Sequence, residues 1–321
     1  MKTNKLSSLF FTVAILIISS GCVAKNPLPL NNNYSSGKVD VPFIAPRSEL
    51  CASTSIEMVS SYWQTQTSYI PLMSLAELDK RTLIPKKGGT LQIELIAAAR
   101  ANGMLVYPLE ATFDALFSEL SKHHPVIVLV NRSYSWYPLW HYAPVTGYDA
   151  KSQTILMHFG DTPNEAVPIE TFAALWERSS NWGVVLLPPN QLPASATAEK
   201  FLHSAYDFEK TGMIKEAIIA YETALIRWPD YIPMLFALGN AYYNLHQISK
   251  AEEIYRYILL IDFKYPFALN NLADLLCHTG RSNEALKLLD QVVTNNVEIQ
   301  ALVKNTRREI NRGCTSFIKK Q

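Results

Sequence analysis

Residues 140–149 read Trp140-His141-Tyr142-Ala143-Pro144-Val145-Thr146-Gly147-Tyr148-Asp149, a strand-like run with a histidine at its start. Ninety residues earlier, Cys51 opens a helix-like run that continues to Trp63. A thiol at a helix N-terminus is acidified by the helix dipole, and a nearby imidazole can hold its proton. Cys51 and His141 are therefore the candidate nucleophile and base. The expectation is a Cys51 thiolate that persists below about pH 7.

The residues around this pair carry mixed signals. Residues 55–63, 91–102 and 112–122 read as helices, the last with Phe113, Leu116, Phe117 and Leu120 on one face. Residues 125–130 form a continuous apolar, β-branched run typical of a buried strand. Residues 142–148, 154–158 and 182–187 look like further strands. Helices first and strands later predict an α+β domain over residues 41–190. His123 and His124, before Pro125, read as a surface helix end, and Asp149 as a turn former. The aromatic set Tyr134, Trp136, Tyr137 and Trp140 precedes His141 and either lines a substrate groove or packs internally.

Pro188-Pro189 and residues 193–197 mark a boundary, and beyond it a period of 34 takes over. Ala205, Gly239 and Ala273 share that spacing, as do Ala217, Ala251 and Ala285. Tyr221, Tyr255 and Leu289 repeat it, and so do Phe208, Tyr242 and Leu276. The pattern is similar to the tetratricopeptide repeat (TPR), a helix-turn-helix unit of about 34 residues. Small residues let the two helices of a unit approach, and aromatics fill the space between units. About three units are expected over residues 197–310, forming a core and a concave surface for a protein partner.

Ahead of the first domain, residues 1–5 carry two lysines, and residues 9–18 are apolar apart from Thr12. That run is too short for a comfortable membrane span. It ends in Ser19-Ser20-Gly21-Cys22, which resembles a bacterial lipoprotein signal: residues 1–21 removed, Cys22 acylated, residues 22–40 a flexible tether. Val23 after the cysteine favours the periplasmic face of the outer membrane over the inner membrane. The net charge of +1 gives no electrostatic case for nucleic acid. No Cys-x-x-Cys or His-x-x-x-His spacing occurs, so no metal or other cofactor is expected. Cys277 and Cys314 either pair or stay free.

Val41-Pro42-Phe43, then Cys51, then residues 141–149, resemble the bacteriocin-processing (double-glycine leader) cysteine peptidases. Within that group, the chain looks most like bacterial lipoproteins that fuse such a domain to C-terminal TPR repeats. The resemblance implies an α+β papain-like cysteine peptidase domain followed by an all-α helical repeat domain. It implies Cys51 as nucleophile and His141 as base, acting on a protein or peptide substrate. It also implies an orienting acid, for which Asp161 in Gly160-Asp161-Thr162-Pro163 is the nearest match. Three departures stand out. Ala45 and Pro46 occupy the places where the family has its oxyanion glutamine, leaving Arg47 as a possible cationic donor. Ala52-Ser53-Thr54 replaces Gly-Pro-Ala. Asp161 lies about two places late. Two readings follow: a membrane-anchored cysteine peptidase whose repeats recruit substrate or partner, or a catalytically silent pseudo-peptidase acting as a protein-interaction scaffold.

Overall fold

In the structure, a computed structural model, residues 36–45, 50–83, 89–134 and 136–314 are described. The chain order is β1 (Gly37–Lys38), α1 (Cys51–Gln66), α2 (Leu75–Thr82), α3 (Gln92–Ala101), β2 (Leu105–Pro108), α4 (Phe113–Ser121), β3 (Val126–Asn131), β4 (Trp140–Asp149), β5 (Thr154–Phe159), β6 (Thr162–Pro168), α5 (Ile169–Glu177) and β7 (Gly183–Leu187). Seven helices follow: α6 (Ala198–Lys210), α7 (Ile214–Arg227), α8 (Ile232–Asn244), α9 (Ile248–Ile261), α10 (Pro266–His278), α11 (Ser282–Leu289) and α12 (Val297–Arg312).

The strands form one sheet in the order β2-β7-β3-β4-β5-β6, with β1 added to β4. Each pairing is antiparallel. Every residue of β3 and β7 is buried, which a strand achieves when both faces of its sheet are covered. Helix α1 packs against β4 and β7, and its Trp63 Nε1 donates to Leu186 O at 2.8 Å. Helices α4 and α5 meet through the rings of Phe113, Phe172 and Trp176. This is the expected α+β architecture, with two helices (α2, α5) and three strands (β1, β2, β6) that the sequence pattern does not announce.

The helical half obeys the 34-residue period. Helices α6, α8 and α10 start at 198, 232 and 266, and α7, α9 and α11 at 214, 248 and 282. The predicted register residues are core: Ala205, Ala217, Ala251, Ala273 and Ala285 are fully buried, and Phe208, Tyr221, Tyr242, Tyr255, Leu276 and Leu289 nearly so. The turns inside the three units place Gly212, His246 and Gly280, again 34 apart, in the left-handed region. Gly239 marks the tightest approach. A Cβ there would lie 2.7 Å from Tyr255 Cε1. That ring is also tied down, because Tyr255 OH donates to Asn240 Oδ1 at 2.8 Å.

The two halves are joined at residues 188–197. Glu119 of α4, fully buried, accepts from Ala194 N (3.0 Å), Ser195 N (2.8 Å) and Ser195 Oγ (2.6 Å). It also bonds His124 Nδ1 at 2.7 Å. His124 is therefore buried, contrary to the surface position expected for it, because the Glu119 carboxylate gives it an internal partner. Ion pairs Arg100–Asp207 and Lys200–Glu110 flank the junction.

Replacing Gly239 with Ala forces the Tyr255 ring to shift, an overpacking cost of about 1–3 kcal/mol. That exceeds the ~1 kcal/mol by which Ala is favoured over Gly inside a helix. The thermal midpoint of the variant is expected to fall by several degrees; a midpoint equal to or above wild type would contradict this packing.

Candidate active site

Helix α1 starts at Cys51 without a side-chain cap. Ser53 Oγ and Thr54 Oγ1 instead bond back to Leu50 O at 3.1 and 2.8 Å. The small residues Ala52, Ser53, Thr54 and Ser55 are buried and let the first turn approach β4, where Ser55 Oγ donates to Tyr142 O at 3.3 Å. The uncapped N–H groups of a first helical turn need acceptors. Those of Cys51 and Ala52, with the main chain of Tyr142, converge on the Cys51 sulfur. Burial outweighs these donors and pushes the thiol above its ordinary value. The expected acidified thiolate is therefore not what the surroundings favour: desolvation penalises the charged form more than the helix terminus stabilises it.

His141 is the second residue of β4, opposite Val130 of β3. It precedes the residue whose main chain touches Cys51, so the fold brings the two candidates into one neighbourhood. No hydrogen bond joins them among the described residues. The imidazole lies edge-on to Phe159, centroids 5.4 Å apart, and its Nε2 accepts from Gly160 N at 3.4 Å. Burial first, then the Arg132 guanidinium, lowers its pKa to about 4. Arg132 itself is stacked on Phe159, 4.1 Å from the ring centroid.

Asp161 sits in the two-residue turn between β5 and β6, where Phe159 pairs with Thr162, and it is exposed. Neither a hydrogen bond nor an ion pair connects it to His141 among the described residues. Its neighbour Gly160 reaches the imidazole instead, through the main chain. Ala45 offers no side-chain donor; Pro46 and Arg47 lie outside the described residues, as does the lipidation candidate Cys22.

Sequence reasoning missed three participants. Arg132 acts on His141 across the β3–β4 hairpin. Tyr142 turns its hydroxyl to Thr90 O at 3.2 Å. His158 braces the segment leading to Cys51, with Nε2 bonded to Val41 O at 2.9 Å and Nδ1 accepting from Asn164 N at 3.1 Å. That His158 closes the strand-like run 154–158 was the signal available for this last one. The aromatic set before His141 does not pack internally: Tyr134, Trp136 and Tyr137 are 68%, 80% and 65% exposed. Asn131 Oδ1 holds the hairpin by accepting from Ser133 N and Leu139 N at 3.0 and 2.9 Å.

An α-helix opening on cysteine, laid against an antiparallel sheet that carries a histidine, is the α+β arrangement expected of a papain-like fold. Residues 38–184, somewhat under half of the chain, match the Peptidase_C39 like family, so the α+β half is a domain with a C39-like fold. Among solved structures, a Bacillus anthracis protein assigned as a C39-like peptidase is 15% identical, covering 48% of this chain and 98% of that one, with a TM-score of 0.39. The type III secretion chaperone SycD of Yersinia enterocolitica, solved with a peptide of the translocator YopD, is 20% identical over 36% of this chain and 92% of that one, TM-score 0.33. The Sgt2 TPR domain of Aspergillus fumigatus is 22% identical over 36% and 84%, TM-score 0.32. No curated protein matches the chain. The helical half is assigned to the TPR class by its own register of helix starts and buried residues.

Proposed function

We propose that this protein holds a polypeptide partner without cleaving it, using a catalytically silent C39-like domain and the concave face of its repeats. The observation that carries the reading is the hydrogen bond from Gly160 N to His141 Nε2. A neutral imidazole that accepts at Nε2 carries its proton on Nδ1. Neither nitrogen then offers a free lone pair to the Cys51 thiol. The absence of a glutamine at the oxyanion position supports the same reading, since one lost donor costs about 10²–10³ in rate. The exposed aromatic hairpin beside His141 offers apolar contact area for a bound chain.

A second reading, cleavage by Cys51 with His141 as base, is favoured by the contact between the Cys51 sulfur and the main chain next to His141. It requires His141 to leave Gly160 and the thiol to ionise when substrate binds. The two readings separate in one experiment with the full chain. Iodoacetamide alkylation of Cys51 is followed against pH in wild type and His141→Ala, alongside incubation with unstructured peptides. Silence predicts alkylation that rises only above the ordinary thiol range of about pH 8.5 in both proteins, and peptides recovered intact. A reactive thiolate below pH 7 that His141→Ala abolishes, or cleaved peptides, would make the peptidase reading the correct one.

The site of action we infer is the bacterial cell envelope, with the chain held through lipid on Cys22 at the periplasmic face of the outer membrane. The signal-like N-terminus supports this, and so does the Cys277–Cys314 disulfide, Cα atoms 5.7 Å apart, which suits an oxidising compartment. Wild type is expected in the membrane fraction and Cys22→Ala as unprocessed precursor. Recovery of wild type as a free periplasmic protein would exclude the anchor.

A further inference from the structure

The concave face of the repeats contains a groove of about 720 Å³. Helices α6, α8 and α10 supply most of its lining, and α12 adds Leu302 and Thr306. Its floor is a ladder of amides. Asn271 Nδ2 donates to Asn240 Oδ1 at 2.9 Å, and Asn270 Nδ2 donates to Asn271 Oδ1 at 3.2 Å. Tyr255 OH donates to the same Asn240 oxygen. Asn270 and Asn271 thus spend their NH₂ groups on the next carbonyl oxygen, and at the Asn270 end the ladder stops in an acceptor. That terminal acceptor, Asn270 Oδ1, has no hydrogen-bond partner although Asn270 is only 3% exposed. A buried acceptor without a donor is unfavourable, so the groove contains an unmet demand for a donor.

The carboxylates lining it are Glu209 and Asp274; His203 stands beside them, and no lysine or arginine lines the groove. Asp274 stands one helical turn beyond Asn270 on α10, hence on the same face. Its Oδ2 accepts from Tyr243 OH at 2.6 Å, and its Oδ1 lies 3.6 Å from His278 Nε2. Glu209 accepts from Tyr221 OH at 2.6 Å. Lys210, over the Tyr206 ring at the groove's edge, is already paired with Asp207. The rings of Phe236 and Tyr255 add π-faces suited to a cation.

We propose that this groove takes an extended polypeptide segment through a lysine or arginine side chain, whose N–H groups satisfy Asn270 Oδ1 in the field of Asp274 and Glu209. The proposal deepens the partner-holding reading above by naming the chemistry of the partner. An acidic segment or a free C-terminal carboxylate is disfavoured, because the groove lacks a cation to receive it.

The test uses the full chain and fluorescein-labelled, C-terminally amidated decapeptides of alanine and serine. Each carries one central residue: arginine, lysine, citrulline, norleucine or glutamate. Arginine and lysine peptides are expected to bind roughly tenfold tighter than the citrulline and norleucine peptides, and to weaken as salt rises from about 50 to 300 mM. Asp274→Asn keeps an acceptor for Tyr243 while removing the charge, and is expected to shrink that preference at least about threefold at an unchanged melting temperature. Equal binding of the norleucine or glutamate peptides would overturn the proposal and leave the partner-holding reading standing. Binding of none of the five would remove both.

Discussion

The carboxylate of Glu119 fixes where the two halves of this protein meet. Burial alone would push its pKa up, but bonds from His124, Ser195 and Ala194 outweigh that and hold the group below the usual carboxylate range. Four hydrogen bonds on one buried carboxylate turn the linker into part of the α+β core. A buried charge with its partners removed is costly, of the order of 3–5 kcal/mol, so the linker cannot lift away without a large penalty. The exposed Lys200–Glu110 pair at the junction adds little by comparison. Because Ala198, three residues after Ser195, begins the first repeat helix, the repeats start from a fixed point. The Cys51 site and the helical groove thereby belong to one frame.

Within that frame the sheet register decides what the thiol site can do. Pairing of His141 with Val130 and of Phe159 with Thr162 brings the imidazole to the β5–β6 turn. There a main-chain N–H, and not a carboxylate, becomes its partner. The polarity of that one bond separates a base from a spectator: an acid on Nε2 would leave Nδ1 free to accept, whereas an N–H on Nε2 does not. The fold alone therefore does not decide the chemistry, consistent with the general rule that function resides in sites and not in folds.

Much of this was legible in the chain itself. The 34-residue spacing of small and aromatic residues located the repeats because each unit must bury the same faces against its neighbours. Apolar β-branched runs located β3 and β7 because both faces of those strands are covered. Strand β6 was hidden by Pro163 and Pro168 and by its mostly exposed residues, features of an edge strand. Strand β2 is only four residues long, too short to declare a period. Cys51 and His141 stood out by residue type and local pattern. The influence of Arg132 on His141, the burial that raises Cys51, and the Gly160 bond depend on contacts across the sheet, which no local pattern encodes. His124 was misjudged for the same reason, since its partner is Glu119 in a buried pocket.

The account rests most heavily on the state of the His141 ring, which can be read directly from its ¹⁵N chemical shifts in isotopically labelled protein. A neutral ring with its proton on Nδ1, titrating near pH 4, is the predicted result. A ring with its proton on Nε2, or an imidazolium at neutral pH that becomes neutral in Cys51→Ala, would contradict it and restore a Cys51–His141 catalytic pair.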